Sequence, residues 1–403
     1  MDSTSPGSIE GSPNGWPDDW SDIDTPAFVY DTRVVRQLLT YTDGLRQASG
    51  CKVLFSLKPF AYVDALALMA PHLDGFAASS LFEARLASQV LLGHGSLHLT
   101  TPGMRPDGVG EIASLCDFVS FNSLSQYQMH GEAVSRGASC GLRVNPQMSF
   151  VDDERYDPCR PNSKLGVPLE LLVDVLSREP HRLSGIDGIL VHSNCDSSDL
   201  AQAQATVQYM HAKLGGLFER VQWINLGGGY LLDEPESLQP LCETIRFLRS
   251  TYGLEVFVEP GAALARAAGY IVSTVLDVFE SGGKEVAVLD TTVNHMPEVF
   301  EYGFEPDVLG HDDDAGHEYL LAGCTCLAGD LFGLYRFHKP LEAGSKVVFN
   351  NAGAYTLPKA HSFNGVNLPT IYAISESGDM VLKKRFTYAE YASRWGENVA
   401  VSV

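Results

Sequence analysis

A lysine closes the apolar run CKVLFSLK (51 to 58) and is followed by Pro59. At such a strand end an amine is partly desolvated, its pKa falls, and it can capture a carbonyl as an imine. Three other strand-length runs end on residues able to serve that chemistry: His192 in GILVHSN, Gly227 to Gly229 in WINLGGG, and Glu259 in EVFVEPG. Consecutive glycines after a strand let backbone amides approach a phosphate without a Cβ in the way. A carboxylate facing the same space can hold the proton of a heterocyclic nitrogen, and an imidazole can stack on its ring. Each residue also has an ordinary reading: a solvated surface lysine, a tight turn, a carboxylate before a turn, a hydrogen-bonded core histidine. Their joint placement favours the chemistry, with pyridoxal 5'-phosphate (PLP) as the expected cofactor on Lys58.

These positions matter together only if one scaffold gathers strand ends at one face. Eight short apolar runs alternate with segments of helical periodicity: 51 to 58, 74 to 80, 97 to 103, 117 to 123, 141 to 146, 188 to 194, 223 to 229 and 255 to 261. That alternation predicts a parallel sheet with crossover helices, and eight is the number of a TIM (β/α)8 barrel. Working residues of that fold lie at the C-terminal ends of the strands. Arg143, Asn194 and Cys195 fall at such ends as well.

After Tyr270 strands and Gly, Asn and Pro turns take over, which predicts a β-barrel or sandwich domain over 269 to 403 behind a barrel at 24 to 268. The strand-like PAFVYD (26 to 31) is open to joining that β domain. Residues 1 to 23, rich in Ser, Pro, Gly and Asp, predict a disordered tail.

Composition narrows the function classes. With 45% hydrophobic and 19% charged residues among 403, the chain suits a globular enzyme. No run reaches the roughly 18 apolar residues of a membrane span, and the acidic start lacks the pattern of a signal peptide, so a cytoplasmic protein is expected. A net charge of -22 excludes the basic footprint of a nucleic-acid binder and suits a cationic substrate, although it also serves solubility alone. The eight scattered cysteines lack zinc-site spacing and read as reduced thiols, with no metal.

The segments FSLKPF (55 to 60), VSFNSLSQ (119 to 126), RVNPQMSFVDDERYDPCRPNSKLGV (143 to 167), VHSNCDSSD (191 to 199), LDTTVNHMPEVFE (289 to 301), CTCLAGDLFG (324 to 333) and AYTLPKAHSFNGV (354 to 366) resemble the alanine racemase-like, fold type III PLP decarboxylases. NHMP, CLAGD and FNG in that order point to the carboxynorspermidine/carboxyspermidine decarboxylase branch. The resemblance implies that Lys58 is the Schiff-base lysine, that His192 stacks on the ring, that Glu259 pairs with the pyridine nitrogen, and that Gly228, Gly229 and Tyr355 contact the phosphate. Arg143 and Cys195 are further expected cofactor neighbours. Cys326 is implied as the acid that returns a proton to Cα after CO₂ leaves. Asp330 is implied to bind a substrate amine, and Glu301 and Asp196 are expected as further acids for remote ammonium groups.

In this family Cys326 and Asp330 belong to a loop inserted by a second subunit, which implies a homodimer with shared active sites. After EPG, where the resemblance implies an acid in the carboxynorspermidine branch and an arginine in the ornithine decarboxylase branch, this chain has Ala262. Decarboxylation of another amino acid, in a natural-product or siderophore pathway, therefore stays open. So do racemisation on the same barrel and a non-catalytic regulator of the antizyme-inhibitor kind.

Overall fold

The computed structural model describes residue 20, residues 22 to 232 and residues 237 to 396. Most of the expected tail, residues 1 to 19 and 21, lies outside the described residues. The described chain falls into two compact units, one spanning Arg36–Leu264, the other combining the chain up to Val35 with the chain from Ala265. The barrel unit therefore starts later than residue 24. The reason is strand β1 (Ala27–Asp31), which pairs antiparallel with β11 (Gly269–Ser281) and parallel with β16 (Thr370–Ile374).

In the first unit, β2 (Lys52–Ser56), β3 (Gly75–Ala78), β4 (Ser96–Thr101), β5 (Phe118–Phe121), β6 (Ser139–Asn145), β8 (Gly188–Val191), β9 (Trp223–Asn225) and β10 (Glu255–Val258) form a continuous parallel sheet. Pairing of β5 with β6 and of β10 with β2 closes it into the eight-stranded barrel. The two-residue β7 (Val167–Pro168) only adds to the edge of β6. Helices follow the strands; two of them, Leu81–Leu91 and Leu124–Val134, start on serine caps, Ser80 and Ser123, whose side chains accept the amides of Glu83 and Gln126.

The barrel interior is aromatic rather than branched aliphatic. Trp223, Phe257, Phe118 and His98 pack in one cluster, with His98 stacked on Phe118 at 4.3 Å. Gly141 and Gly188 make room for the indole, since a Cβ on Gly188 would sit 2.0 Å from it. Burial pushes the His98 pKa down to about 3, so this histidine is a neutral core residue.

The second unit is an eight-stranded sheet in which β11 also pairs with β12 (Lys284–Leu289) and β15 (Lys346–Phe349). Gly282 and Gly283, both at positive φ, make the two-residue turn between β11 and β12. The order continues from β12 to β13 (His317–Ala322) and β14 (Leu331–Phe337), and β16 pairs with β17 (Met380–Lys384). Ala27, Val29, Tyr270, Val272, Val348, Tyr372 and Ile374 form its core. No helix among the described residues is long and apolar enough to cross a membrane.

Candidate active site

The barrel strands stop one to four residues before the ends of the apolar runs, so Lys58, His192, Gly227 to Gly229 and Glu259 all stand in the turns just beyond the strands. These turns are laced to one another. Leu57 donates to Ala77 O at 3.0 Å, and Ser56 donates to Pro260 O at 3.1 Å. Gly261 is needed beside Pro59, because a Cβ there would lie 2.8 Å from the proline ring. Lys58 is thereby held between the ends of β3 and β10.

The glycine turn is demanded by close backbone approach. Added Cβ atoms on Gly228 and Gly229 would come within 2.1 Å of the carbonyls of Glu259 and Asn194, and Gly227 and Gly229 have φ of +68° and +86°. The Gly228 amide donates to His192 Nδ1 at 3.1 Å, and the Gly227 amide donates to Asn225 Oδ1 at 2.8 Å. Two of the three glycine amides thus have partners within the barrel. Among the described residues the Gly229 N–H has no protein acceptor.

Asn225, which the sequence reading passed over, organises this end. Its Nδ2 donates to Glu259 Oε1 at 2.6 Å while its Oδ1 accepts from Gly227. An asparagine as the last residue of a buried strand was the available signal. Burial raises the Glu259 pKa, opposed by Asn225 and by the charges of Lys58 and Arg143. Lys58 stands open to solvent at the barrel mouth, yet enclosure among the strand ends and the nearby Arg143 lower its pKa, partly offset by Glu259. Burial, then Lys58 and Arg143, drive His192 well below its usual range, so it is a neutral imidazole with Nδ1 as acceptor. Arg143 projects from β6 with its own pKa lowered by burial. Cys195 is half-buried after β8, with its amide on Asn194 Oδ1 at 2.9 Å, and Asp196 beside it is exposed at φ +49°.

The β unit treats its charged groups differently. Asp330 is 3% exposed, and its carboxylate accepts from Thr292 Oγ1 and Val293 N at 2.8 Å, Thr325 N at 3.0 Å and Thr325 Oγ1. These four donors tie the carboxylate to the Cys326 loop, which it clamps. Gly323 is bare for the same reason, since a Cβ would lie 2.2 Å from that carboxylate. Glu301 is exposed and paired with Lys359, which also meets Glu298 at 3.3 Å. Cys326 is exposed, its amide donating to Asn364 Oδ1 at 2.8 Å. Tyr355 is half-buried at φ +58°, a rare conformation for a tyrosine.

A lysine of lowered pKa, a half-buried carboxylate oriented by an amide, a neutral imidazole and a glycine amide at positive φ make a donor and acceptor set that fits PLP. Residues 27–353 match the family model for the pyridoxal-dependent decarboxylase, C-terminal sheet domain. The chain belongs to this family. It is a PLP-dependent carboxy-lyase. The decarboxylase is 32% identical, over 92% of its length and 99% of the relative's, to a carboxynorspermidine/carboxyspermidine decarboxylase of Herminiimonas arsenicoxydans. It is 34% identical, over 93% of its length and 96% of the relative's, to a carboxyaminopropylagmatine decarboxylase of Synechocystis. Among solved structures it is similar to a carboxynorspermidine decarboxylase of Campylobacter jejuni complexed with norspermidine, with a TM-score of 0.83 and 30% identity over 92% of this chain and all of that one.

Proposed function

We propose that this decarboxylase removes the carboxylate of a polyamine-like amino acid, carboxynorspermidine or carboxyspermidine, in polyamine biosynthesis. The observation that carries the reading is Glu259, half-buried, oriented by Asn225 and set within reach of the charges of Lys58 and Arg143. When bound, PLP supplies an electron sink for the pair left on Cα as CO₂ departs. Lys58, with its depressed pKa, offers the amine that holds the cofactor and exchanges for the substrate's α-amine. Glu259 keeps a proton on the pyridine nitrogen, which a racemase has reason to avoid. His192 presents a neutral ring, and Gly229, Tyr355 and Arg143 supply donors for the anionic parts of the cofactor. Cys195 completes that wall.

In this reading Cys326 gives a proton to Cα and its thiolate is reprotonated from solvent. The enzyme works as a homodimer in the cytoplasm, with Cys326 serving the barrel of the second copy. Asp196 and Glu301 receive remote ammonium groups, the exposed pair of Glu301 with Lys359 exchanging at little cost. The similarity to a carboxyaminopropylagmatine decarboxylase favours a second reading, in which the remote end of the substrate is a guanidinium. Ala262, half-buried in the single turn Ala262–Leu264 after Gly261, brings no charge to either end group. CO₂ release measured on the three carboxy-polyamines decides between them. Turnover of the first two above the third supports the first reading, and no release from any of them while a simpler amino acid reacts would overturn both.

A further inference from the structure

The three signatures NHMP, CLAGD and FNG lie apart in sequence but converge in the β unit. Asp330 of CLAGD binds the turn that leads into NHMP, through Thr292 and Val293. His361, just before FNG, donates to Asn294 O at 3.1 Å, and Asn364 of FNG accepts the Cys326 amide at 2.8 Å. The Cys326 backbone is therefore fixed from two sides: the Asp330 clamp holds Thr325, and Asn364 holds Cys326 itself. Asn364 has φ +54°, inside the left-handed region that asparagine tolerates better than most side chains. One residue thus supplies both the turn and the acceptor. The neighbouring C-terminal helix Tyr388–Ser393 approaches the same turn, with Tyr391 Oη 3.4 Å from where a Cβ on Gly365 would stand.

We propose that Asn364 is a positioning residue that aims the Cys326 thiol at Cα, an inference resting on the reading of Cys326 as the proton donor. In the productive step the Cα–carboxylate bond breaks, its electron pair stays on Cα, and the S–H proton forms the new Cα–H bond. Were the thiol misaimed, the proton would add instead to the cofactor carbon joined to the amine nitrogen, and the bond from that nitrogen to the substrate carbon would then be the one to break. Water then supplies an oxygen to the substrate carbon, releasing an aldehyde and leaving nitrogen and two electrons on the cofactor as pyridoxamine phosphate.

The test uses holoenzyme carrying Asn364→Gly, which keeps the backbone conformation without the acceptor, Asn364→Asp, which keeps both, and Cys326→Ala. Amine and aldehyde products are counted, and iodoacetamide labelling of Cys326 is timed by peptide mapping. Asn364→Gly is expected to raise the aldehyde fraction about fivefold, the effect of one lost hydrogen bond of about 1 kcal/mol, and to change the labelling rate. Asn364→Asp should restore the partition toward that of the unaltered enzyme. An unchanged partition and labelling rate in Asn364→Gly, or equal disturbance by both variants, would overturn the role of Asn364. An unchanged partition in Cys326→Ala would instead remove the proton-donor reading on which it rests.

Discussion

The barrel end and the β unit both carry charged groups, but they spend them in opposite ways. At the barrel end Lys58, Arg143 and Glu259 come from three different strand ends, and the single side-chain hydrogen bond to Glu259 comes from neutral Asn225. Burial, rather than pairing, is the largest influence on each of their pKa values. In the β unit Asp330 is saturated by four donors and Glu298 and Glu301 share Lys359. Groups left short of partners are free to take a ligand, whereas saturated groups hold the chain. In the β unit Cys326 and Glu301 are exposed, while the buried Asp330 serves as a mount.

The largest effect that would break this contrast concerns Lys58. Lys58→Ala is expected to lower turnover by roughly 1,000-fold or more, measured as CO₂ release, because no other barrel-end group offers a nucleophilic amine. Glu259→Gln should cost about 100-fold in turnover with a smaller change in KM, since the sink matters most once charge develops on Cα. Comparable activity in either variant would place the reactive region elsewhere.

Asp330→Ala should act on stability first. It leaves four donors without their acceptor, and a loss of about 3 kcal/mol in urea unfolding is expected. An Asp330→Ala protein as stable as the original but weaker in KM would support its sequence-based role in amine binding.

An effect spread over pH, small at any one unit, follows from His98 in the barrel and His295 in the β unit, both pushed down to about 3 by burial. Their folded pKa values lie below the unfolded value near 6.5, so the stability they contribute is present above that value. It is lost as pH falls from about 6.5 toward 3, at up to about 1.4 kcal/mol per pH unit for each histidine. Thermal unfolding of His98→Phe across that range should show a shallower acid slope than the unaltered chain. The smallest effect is expected from Lys359→Met, at most about 1 kcal/mol, because Glu301 is exposed and Glu298 only partly buried.

Much of this was legible before the structure. The eight apolar runs each overlap one barrel strand, because a buried parallel strand must be apolar on both faces. Lys58, His192, Gly229 and Glu259 stood out because strand ends are where this fold presents reactive groups. Asn225 was missed since an asparagine at a strand end carries no distinctive spacing, and its importance comes from bonds to residues far along the chain. The saturation of Asp330 was equally hidden, because its donors, Thr292 and Thr325, reach it only through the folded β unit.

The account's central claim is that Lys58 is the one lysine bonded to the cofactor. Borohydride reduction of the holoenzyme followed by peptide mapping tests it directly. The account predicts a single pyridoxyl label within the FSLKPF segment, and a label on any other lysine would contradict it.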